Sequence, residues 1–475
     1  MFEYPPSDRL DIPVKANYFR KLLANEPSDA EELYESMVLG RTGGVEPFDP
    51  FEPKQPKKLS ISCYKKSCLD LLASMTKRGF LPRHSIPIAK DGRILNGSHR
   101  LACASALGIT PLFRPVDVPN GYSWGFDWVL DQKWPQAFIR RILRVWQEQC
   151  SKCGVLIIFP DALEKWDDIE KLFPESSLVG YADHTIDPVK CDRIIRDTYS
   201  CRNYRGETSL DFLKKKINLL GSRNACFRAV LLNCPDTSEI KNKIRNSLSY
   251  YIPKENFITC HGSDDTDEAN YLGSIWFNPN YDEWLNHAHP NSSVHSLIEK
   301  TLVVLSEKEI PTNKVCVVGG GVLALWGLRT ADDLDLTVTP SLRNIYGSGI
   351  TLLGPETDIV TEGYHRRVNL STILDDSLIK EAYYHTIYRG LRFVVPKVVL
   401  DRKAYSLRDK DLPDIHPLID VCSRCSSERS FQVKSIQEKI LLPVGRIREI
   451  LKVFKIRRIC AFMMRKLKSF AGINT

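Results

Sequence analysis

The pattern of apolar and polar positions predicts strands and helices that alternate along the chain. The segment Val315 to Thr339 is the clearest case: an apolar strand, a glycine turn and a short helical span lead to Asp333 and Asp335, which alternate with Leu334 and Leu336. Because side chains alternate across a strand, both carboxylates are expected on one face and both leucines on the other. Two acids held side by side suit a hard divalent cation, so the pattern indicates metal-dependent phosphoryl chemistry.

The first third of the chain predicts a lead-in segment followed by an α/β unit. The lead-in carries one helix, around Ala16 to Val38, and ends in the linker tract EPFDPFEPKQPKK. The predicted elements of the unit are a helix from Cys68 to Gly79, strands from Ile86 to Ala89 and Arg93 to Leu95, and a helix from Arg100 to Leu107 that Gly108 ends.

The middle third predicts a second α/β domain. Its elements are a helix from Arg140 to Gln147, the buried strands GVLIIFP and FRAVLLNCP, and a helix from Ile240 to Asn246. The run from His261 to Glu268, HGSDDTDE, lies near the start of a helix, where Asp264 or Thr266 is expected as the N-cap. The alternative is a substrate or metal role for the acids of this run.

Composition indicates a cytoplasmic globular protein of about three domains. The 475 residues are 43% hydrophobic and 26% charged. The N-terminal sequence lacks the pattern of a signal peptide, and the longest uncharged apolar runs hold fewer than the roughly 20 residues of a bilayer span. The 14 cysteines are scattered, apart from the pairs Cys150/Cys153 and Cys422/Cys425, and are expected to be reduced or buried thiols.

The net charge of +8 is concentrated at the C-terminal end. Residues 446–475 hold nine Lys and Arg side chains against Glu449, which gives +8, so the rest of the chain is about neutral. From Arg446 to Phe470, apolar residues recur among the basic ones at helical spacing, as in a basic amphipathic helix. Three roles are open for this helix: binding to an anionic membrane surface, packing on the protein's own body, or contact with a nucleic acid or protein partner, of which nucleic acid is not favoured.

The segment IPIAKDGRILNGSHRLACASALGITPLF carries a family pattern. A proline-containing strand, "DG", a short strand, "G-x-H-R" and a helix with small residues follow one another, and the box itself is Gly97, Ser98, His99 and Arg100. The segment resembles a ParB-like domain over about residues 59–127. The resemblance implies that the box binds a nucleotide or phosphate. Gly97 would permit a tight turn, and Arg100 would bind the phosphate through two hydrogen bonds.

The last third carries a second family pattern. Gly319 and Gly320 follow the buried strand, Arg329 precedes the acidic strand, and Asp333 and Asp335 complete GG-x-x-L-A-L-x-G-L-R-x-x-D-D-L-D-L. This pattern closely resembles the nucleotidyltransferase fold of the DNA polymerase β superfamily, most of all its stand-alone bacterial members. Serine is common at the second glycine position in that superfamily. This chain has Gly320 there, so a contact from a serine hydroxyl is absent. The resemblance implies that the two glycines and Arg329 contact the nucleotide.

A second match follows in the expected order. After the strand from Leu391 to Val395, PKVVLDRKAYSLRDKDLPDI is similar to that family's lysine-bearing helix and its "R-x-K-D…D" segment. The matching residues are Lys403, Arg408, Lys410, Asp411 and Asp414. The resemblance implies that Lys403 lies near the nucleotide and that the later acids fix the helical subdomain.

The reaction implied by this resemblance is Mg²⁺-dependent nucleotidyl transfer. Asp333 and Asp335 would hold Mg²⁺ while an acceptor hydroxyl attacks the α-phosphorus of an NTP. A third carboxylate on a neighbouring strand is expected to help deprotonate the acceptor; Asp358 is the first choice and Glu362 the next.

The sequence therefore predicts a multidomain protein of the α/β (α+β) class. The expected parts are a lead-in and linker (1–58), a ParB-like domain (59–130), a central α/β domain (131–296), a nucleotidyltransferase-like domain (297–430) and a basic amphipathic helix (431–475). The predicted function is nucleotidyl transfer to a hydroxyl or phosphate acceptor, with assembly of a surface polysaccharide at the inner face of the membrane as one setting. The alternatives are a ParB-like kinase or nucleotide hydrolase whose C-terminal fold senses nucleotide, and a toxin-antitoxin or defence protein that acts by binding.

Overall fold

The N-terminal part of the chain contains a two-stranded sheet surrounded by helices. A computed structural model describes residues 6–25, 28–41, 60–204, 210–221, 224–249, 258–346, 350–354, 356–360, 375–406 and 408–429. The first elements are α1 (Asp11–Ala24), α2 (Ser28–Arg41), α3 (Ile61–Arg78), β1 (Ile86–Ile88), α4 (Ser98–Leu107), β2 (Phe113–Pro115) and α5 (Phe126–Asp131). Strands β1 and β2 are parallel.

Two predictions for this part are wrong in detail. The lead-in holds two helices instead of one, because Asn25 ends α1 in the left-handed conformation (φ 57°) and Pro27 follows in the sequence. The predicted strand from Arg93 to Leu95 is absent from the described sheets; Ile94 forms only an isolated bridge with Ile88. Strand β2 pairs with β1 instead.

Helices α1 and α2 belong to the core of this N-terminal unit. Their buried side chains, such as Phe19 and Tyr34, form one hydrophobic cluster with Leu72 of α3 and Leu101 of α4. The ring of Tyr34 also stacks on that of Tyr18, with 4.5 Å between the centroids. The predicted lead-in is therefore a structural component of the unit, since removing either helix would expose these aromatic side chains.

The central part contains a four-stranded antiparallel sheet in the order β4-β5-β3-β6. Its elements are α6 (Gln136–Gln147), β3 (Gly154–Ile158), α7 (Pro160–Leu163), α8 (Trp166–Glu170), β4 (Leu178–Ile186), α9 (Pro188–Tyr204), α10 (Leu210–Leu220), β5 (Ala225–Leu232), α11 (Thr237–Leu248), β6 (Cys260–Gly262), α12 (Thr266–Trp276) and α13 (Tyr281–His287). Both faces are buried, because Val155 and Ile157 join one hydrophobic cluster while Leu156 and Ile158 join another.

The last third contains a six-stranded mixed sheet in the order β11-β12-β7-β8-β10-β9. Its elements are α14 (Ser292–Glu307), β7 (Val315–Val318), α15 (Gly320–Leu325), β8 (Leu334–Val338), α16 (Pro340–Tyr346), β9 (Ile350–Gly354), β10 (Thr357–Val360), α17 (Asp375–Lys380), β11 (His385–Tyr388), β12 (Leu391–Val394), α18 (Pro396–Ser406) and α19 (Leu412–Arg429). Strand β7 is antiparallel to β8, whereas β8 is parallel to β10. The predicted strand, turn, helix and acidic strand are all present in this order.

The chain is a mixed α/β protein, as predicted. Residues 1–429 group into one compact unit, and the largest hydrophobic cluster includes residues from both the central and the last sheet, such as Ile157 and Val317. No helix in the described ranges is long and apolar enough to cross a bilayer. The predicted basic helix falls within 431–475, which lies outside the described residues.

A buried carboxylate joins the central part to the last sheet. The side chain of Asp197 on α9 accepts hydrogen bonds from the hydroxyl of Tyr281 (2.5 Å) and from the backbone N–H of Arg389 (2.8 Å). Asp197 is 0% exposed, and this burial raises its pKa to about 7, although Tyr281, the Arg389 amide and two nearby arginines favour the charged form.

We expect Asp197 to make the protein's stability depend on pH. Because the pKa is higher in the folded chain, the contribution of Asp197 is fully present below about pH 4 and is lost as the pH rises through about 7. In Asp197→Asn the amide oxygen can still accept from the N–H of Arg389 and the amide NH₂ can donate to the hydroxyl oxygen of Tyr281, while the titration is removed. Between pH 5 and pH 8, the free energy of unfolding of the wild type should therefore fall relative to the variant by on the order of 2–3 kcal/mol. Urea unfolding of both proteins measures this difference, and a pH-independent difference would contradict the expectation.

Candidate functional site

Three aspartates come together at one end of the last sheet. Asp335 lies on β8, Asp333 immediately precedes that strand, and Asp358 lies on β10, in register with Asp335 across the parallel pair. One carboxylate oxygen from each residue lies within 4.8 Å of the other two. We call Asp333, Asp335 and Asp358 the carboxylate cluster. The structure thus places the first choice for the third acid beside the predicted pair, while Glu362 lies outside the described residues.

The carboxylate cluster is a negative site without an ion-pair partner among the described residues. Burial raises the pKa of Asp335, and the charges of Asp333 and Asp358 raise it further; the pKa of Asp358 is raised by burial and by Asp333. Within the described residues, no Lys or Arg forms an ion pair with any of the three. Three hard oxygen donors that repel one another match the preference of Mg²⁺ for carboxylate ligands, so the residues present fit a divalent cation.

Gly319 brings the backbone against this cluster. Its φ of +67° is a conformation that side-chain-bearing residues rarely adopt, and a Cβ atom placed on it would lie 2.7 Å from an oxygen of Asp335. The φ therefore favours glycine at this position, and a larger residue would also displace the carboxylate of Asp335. At the next residue, a Cβ atom on Gly320 would lie 3.1 Å from Nη2 of Arg329, so this guanidinium lies beside the start of α15.

The predicted nucleotide-binding Lys403 lies in a buried ion network. Its ammonium is 2.7 Å from Asp411 and 2.9 Å from Asp414, and the side chain is 8% exposed. Arg408 also pairs with Asp411, and Arg329 approaches Asp414 at 3.4 Å. We call Lys403, Arg408, Asp411, Asp414 and Arg329 the Lys403 network. It joins α18 to α19 through the ion pair of Lys403 with Asp414.

Two other cations act on the carboxylate cluster. The charges of Arg402 and Lys410 lower the pKa of Asp335 against the effects of burial and Asp333. Both residues flank positions of the Lys403 network in the sequence. The sequence pattern did not predict a role for Arg402. The only indication is that Arg402 adjoins Lys403, which matches the family's lysine.

The four residues of the ParB-like box contact their own surroundings. Gly97 has a φ of +92° before α4, as a tight turn requires. Lys15 donates a hydrogen bond of 2.8 Å to the hydroxyl of Ser98, and Nε2 of His99 is 3.0 Å from the hydroxyl of Tyr34. Arg100 donates to the carbonyl oxygens of His84 and Ser85 and lines a cavity of about 270 Å³. Phosphate binding at this box stays a prediction.

The acidic run before α12 forms a helix cap. The side chain of Asp265 accepts from the N–H of Glu268 (2.7 Å), and the side chain of Glu268 accepts in return from the N–H of Asp264 (2.7 Å). The N-cap is therefore Asp265, whereas the sequence favoured Asp264 or Thr266. Asp264 instead pairs with Lys241 at 2.7 Å. The substrate or metal role of this run stays a prediction.

Comparison of the chain with protein-family models, with curated proteins and with solved structures gives no match. The carboxylate cluster, with Gly319 against it, is therefore the feature from which a function can be inferred.

Proposed function

We propose that this protein is a Mg²⁺-dependent nucleotidyltransferase-like enzyme. It would transfer a nucleotidyl group from an NTP to a hydroxyl or phosphate acceptor. The observation that supports this proposal is the carboxylate cluster, whose three acids lie on, or immediately before, two adjacent strands and have one carboxylate oxygen each within 4.8 Å of the others. The close approach of Gly319 to Asp335 adds to it, because it keeps side chains away from the place where a triphosphate would approach the acids.

Each residue near the cluster has a proposed role. Asp333 and Asp335 would hold Mg²⁺, which neutralises negative charge on the phosphates when bound. Arg402 and Lys410, whose charges act on Asp335, would bind phosphate oxygens.

Asp358 is the proposed proton acceptor. Burial raises the pKa of Asp358, which makes its carboxylate a better base than an ordinary exposed aspartate. The acceptor oxygen would form a bond to the α-phosphorus while the bond from that phosphorus to the bridging oxygen breaks. Pyrophosphate leaves, and the proton of the acceptor hydroxyl passes to Asp358.

The proposed acceptor class is a hydroxyl or phosphate group of a surface-polysaccharide precursor. Support for this class comes from the order of the domains and from the basic tail at residues 446–475, which would bring the enzyme to an anionic membrane surface.

The test is metal-dependent nucleotide binding and turnover by the full chain. We expect Mn²⁺, detected by electron paramagnetic resonance, to bind, and each NTP to raise the melting temperature only when Mg²⁺ or Mn²⁺ is present. With an α-labelled NTP and polysaccharide precursors as acceptors, label transfer should be accompanied by one pyrophosphate per turnover, and EDTA should stop both. A chain that binds neither Mn²⁺ nor metal-NTP would overturn the proposal.

A further inference from the structure

A second cavity lies between the central part and the last sheet. Its volume is about 300 Å³, and it is bounded by α12, by the 3₁₀ turn Thr312–Lys314 and by β12. We call it the Arg392 cavity; the lining residues used below are Asp267, Asn270, Asn313 and Arg392. A volume of this size equals roughly ten water molecules at about 30 Å³ each, and it reaches the lower end of the range of small-molecule sites.

Arg392 brings an unpaired positive charge to this cavity. Its Nη1 donates a hydrogen bond of 3.0 Å to the backbone oxygen of Thr312, whereas its buried Nε has no hydrogen-bond partner. In the part of the chain that the structure describes, no carboxylate forms an ion pair with this guanidinium. Burial lowers the pKa of Arg392 to about 10, and Arg144 adds repulsion, yet the group stays charged at neutral pH. A desolvated cation of this kind is stabilised when an anion binds it.

The rest of the cavity lining is polar but not cationic. Asp267 lies in the first turn of α12 and is exposed, and Asn270 follows it on the same helix. Asn313 lies across from them in the 3₁₀ turn. Asp267 would repel a ligand that is anionic throughout, but its carboxylate can accept hydrogen bonds from hydroxyl groups. The side-chain amides of Asn270 and Asn313 can both donate and accept hydrogen bonds. The ligand should therefore be anionic at one end and hydroxylated at the other.

The Arg392 cavity is separate from the carboxylate cluster. Thr312 and Asn313 precede β7, whereas Gly319 follows it, so the two sites adjoin opposite ends of one strand. Arg392 lies on β12, which pairs with β7 through Phe393 and Val317. A ligand in the cavity would contact the segments before β7 and not the cluster itself.

We propose that the Arg392 cavity binds a small organic phosphate that carries hydroxyl groups, of the sugar-phosphate class. The guanidinium pairs with the phosphate, since its planar fork matches phosphate oxygens. Asp267, Asn270 and Asn313 bind the hydroxyl groups. This site does not depend on the function proposed for the carboxylate cluster.

Isothermal titration calorimetry of the full chain tests this site, with ribose 5-phosphate, glucose 6-phosphate, ribose and inorganic phosphate as probes. At least one sugar phosphate should bind the wild type, ribose should not, and inorganic phosphate should bind more weakly. Arg392→Gln should weaken binding about tenfold or more, and Asn313→Ala about threefold, as expected for a charged and a neutral hydrogen bond. Arg392→Gln changes a partly buried side chain and could therefore prevent folding. Asn313 is exposed, so Asn313→Ala still tests the site if the first variant does not fold.

Two controls locate the bound phosphate. Arg389→Gln removes a positive charge from the same hairpin. Arg389 approaches Glu299 at 3.4 Å and does not line the cavity, so the affinity for the sugar phosphate should stay within about twofold. Asp333→Asn with Asp335→Asn should leave sugar-phosphate binding unchanged. Binding that is lost in this double variant, binding unaffected by both cavity variants, or no binding of any sugar phosphate at 10 mM would each overturn the proposal.

Discussion

Replacing Asp335 by asparagine is expected to lower metal-dependent nucleotide turnover by about 100-fold or more, because one charged oxygen ligand is lost where the phosphate charge must be neutralised. The protein should stay folded. The pKa of Asp335 is raised in the native state, so the neutral amide relieves repulsion from Asp333 and Asp358. Rates of pyrophosphate release, together with melting temperatures in EDTA, measure the two effects separately.

Asp332→Asn provides the matched control. Asp332 is exposed, adjoins Asp333 in the sequence and is not a member of the carboxylate cluster. Its substitution makes the same chemical change three residues earlier, in the loop before β8, so turnover should stay within about twofold, as for a surface substitution. If Asp335→Asn kept full activity while Arg100→Ala removed it, the chemistry would belong to the ParB-like box, and the carboxylate cluster would have no catalytic role.

Replacing Lys403 by methionine is expected to destabilise the protein by about 3 kcal/mol, the cost of leaving buried carboxylates without their partner. Asp411 and Asp414 are both nearly buried, and without Lys403 they would face each other beside Arg408 and Arg329. Urea unfolding measures this loss. The expected role of Lys403 is thus structural, although the family resemblance implied contact with the nucleotide.

Lys397→Met is the control on the same helix. Lys397 is 63% exposed and pairs with Asp401 one turn away, so its loss should cost no more than about 0.5 kcal/mol. A Lys403→Met variant of normal stability whose affinity for metal-NTP falls tenfold would show that Lys403 is a nucleotide ligand. Such a result would require the Lys403 network to open when nucleotide binds.

Local pattern determined the elements around the proposed site. Apolar runs and glycine turns were sufficient to predict β7, α15 and β8, because strand alternation and glycine conformation are properties of short segments. Helix ends were less predictable. The cap at Asp265, for example, depends on the bond from the N–H of Glu268 to Asp265 and on the bond from the N–H of Asp264 to the side chain of Glu268, whereas the sequence offers Asp264 and Thr266 as equally suitable N-caps.

The sequence by itself determined that Asp333 and Asp335 lie at the start of one strand after a glycine turn, and that the chain is a mixed α/β protein. Only the tertiary structure decided the rest of the site. Asp358 joins the pair because β10 lies beside β8 in register, and strand order depends on contacts between distant segments. Similarly, Lys403 is buried in an ion network and Arg392 lies unpaired at a cavity because of packing between helices and sheets that are far apart in the sequence.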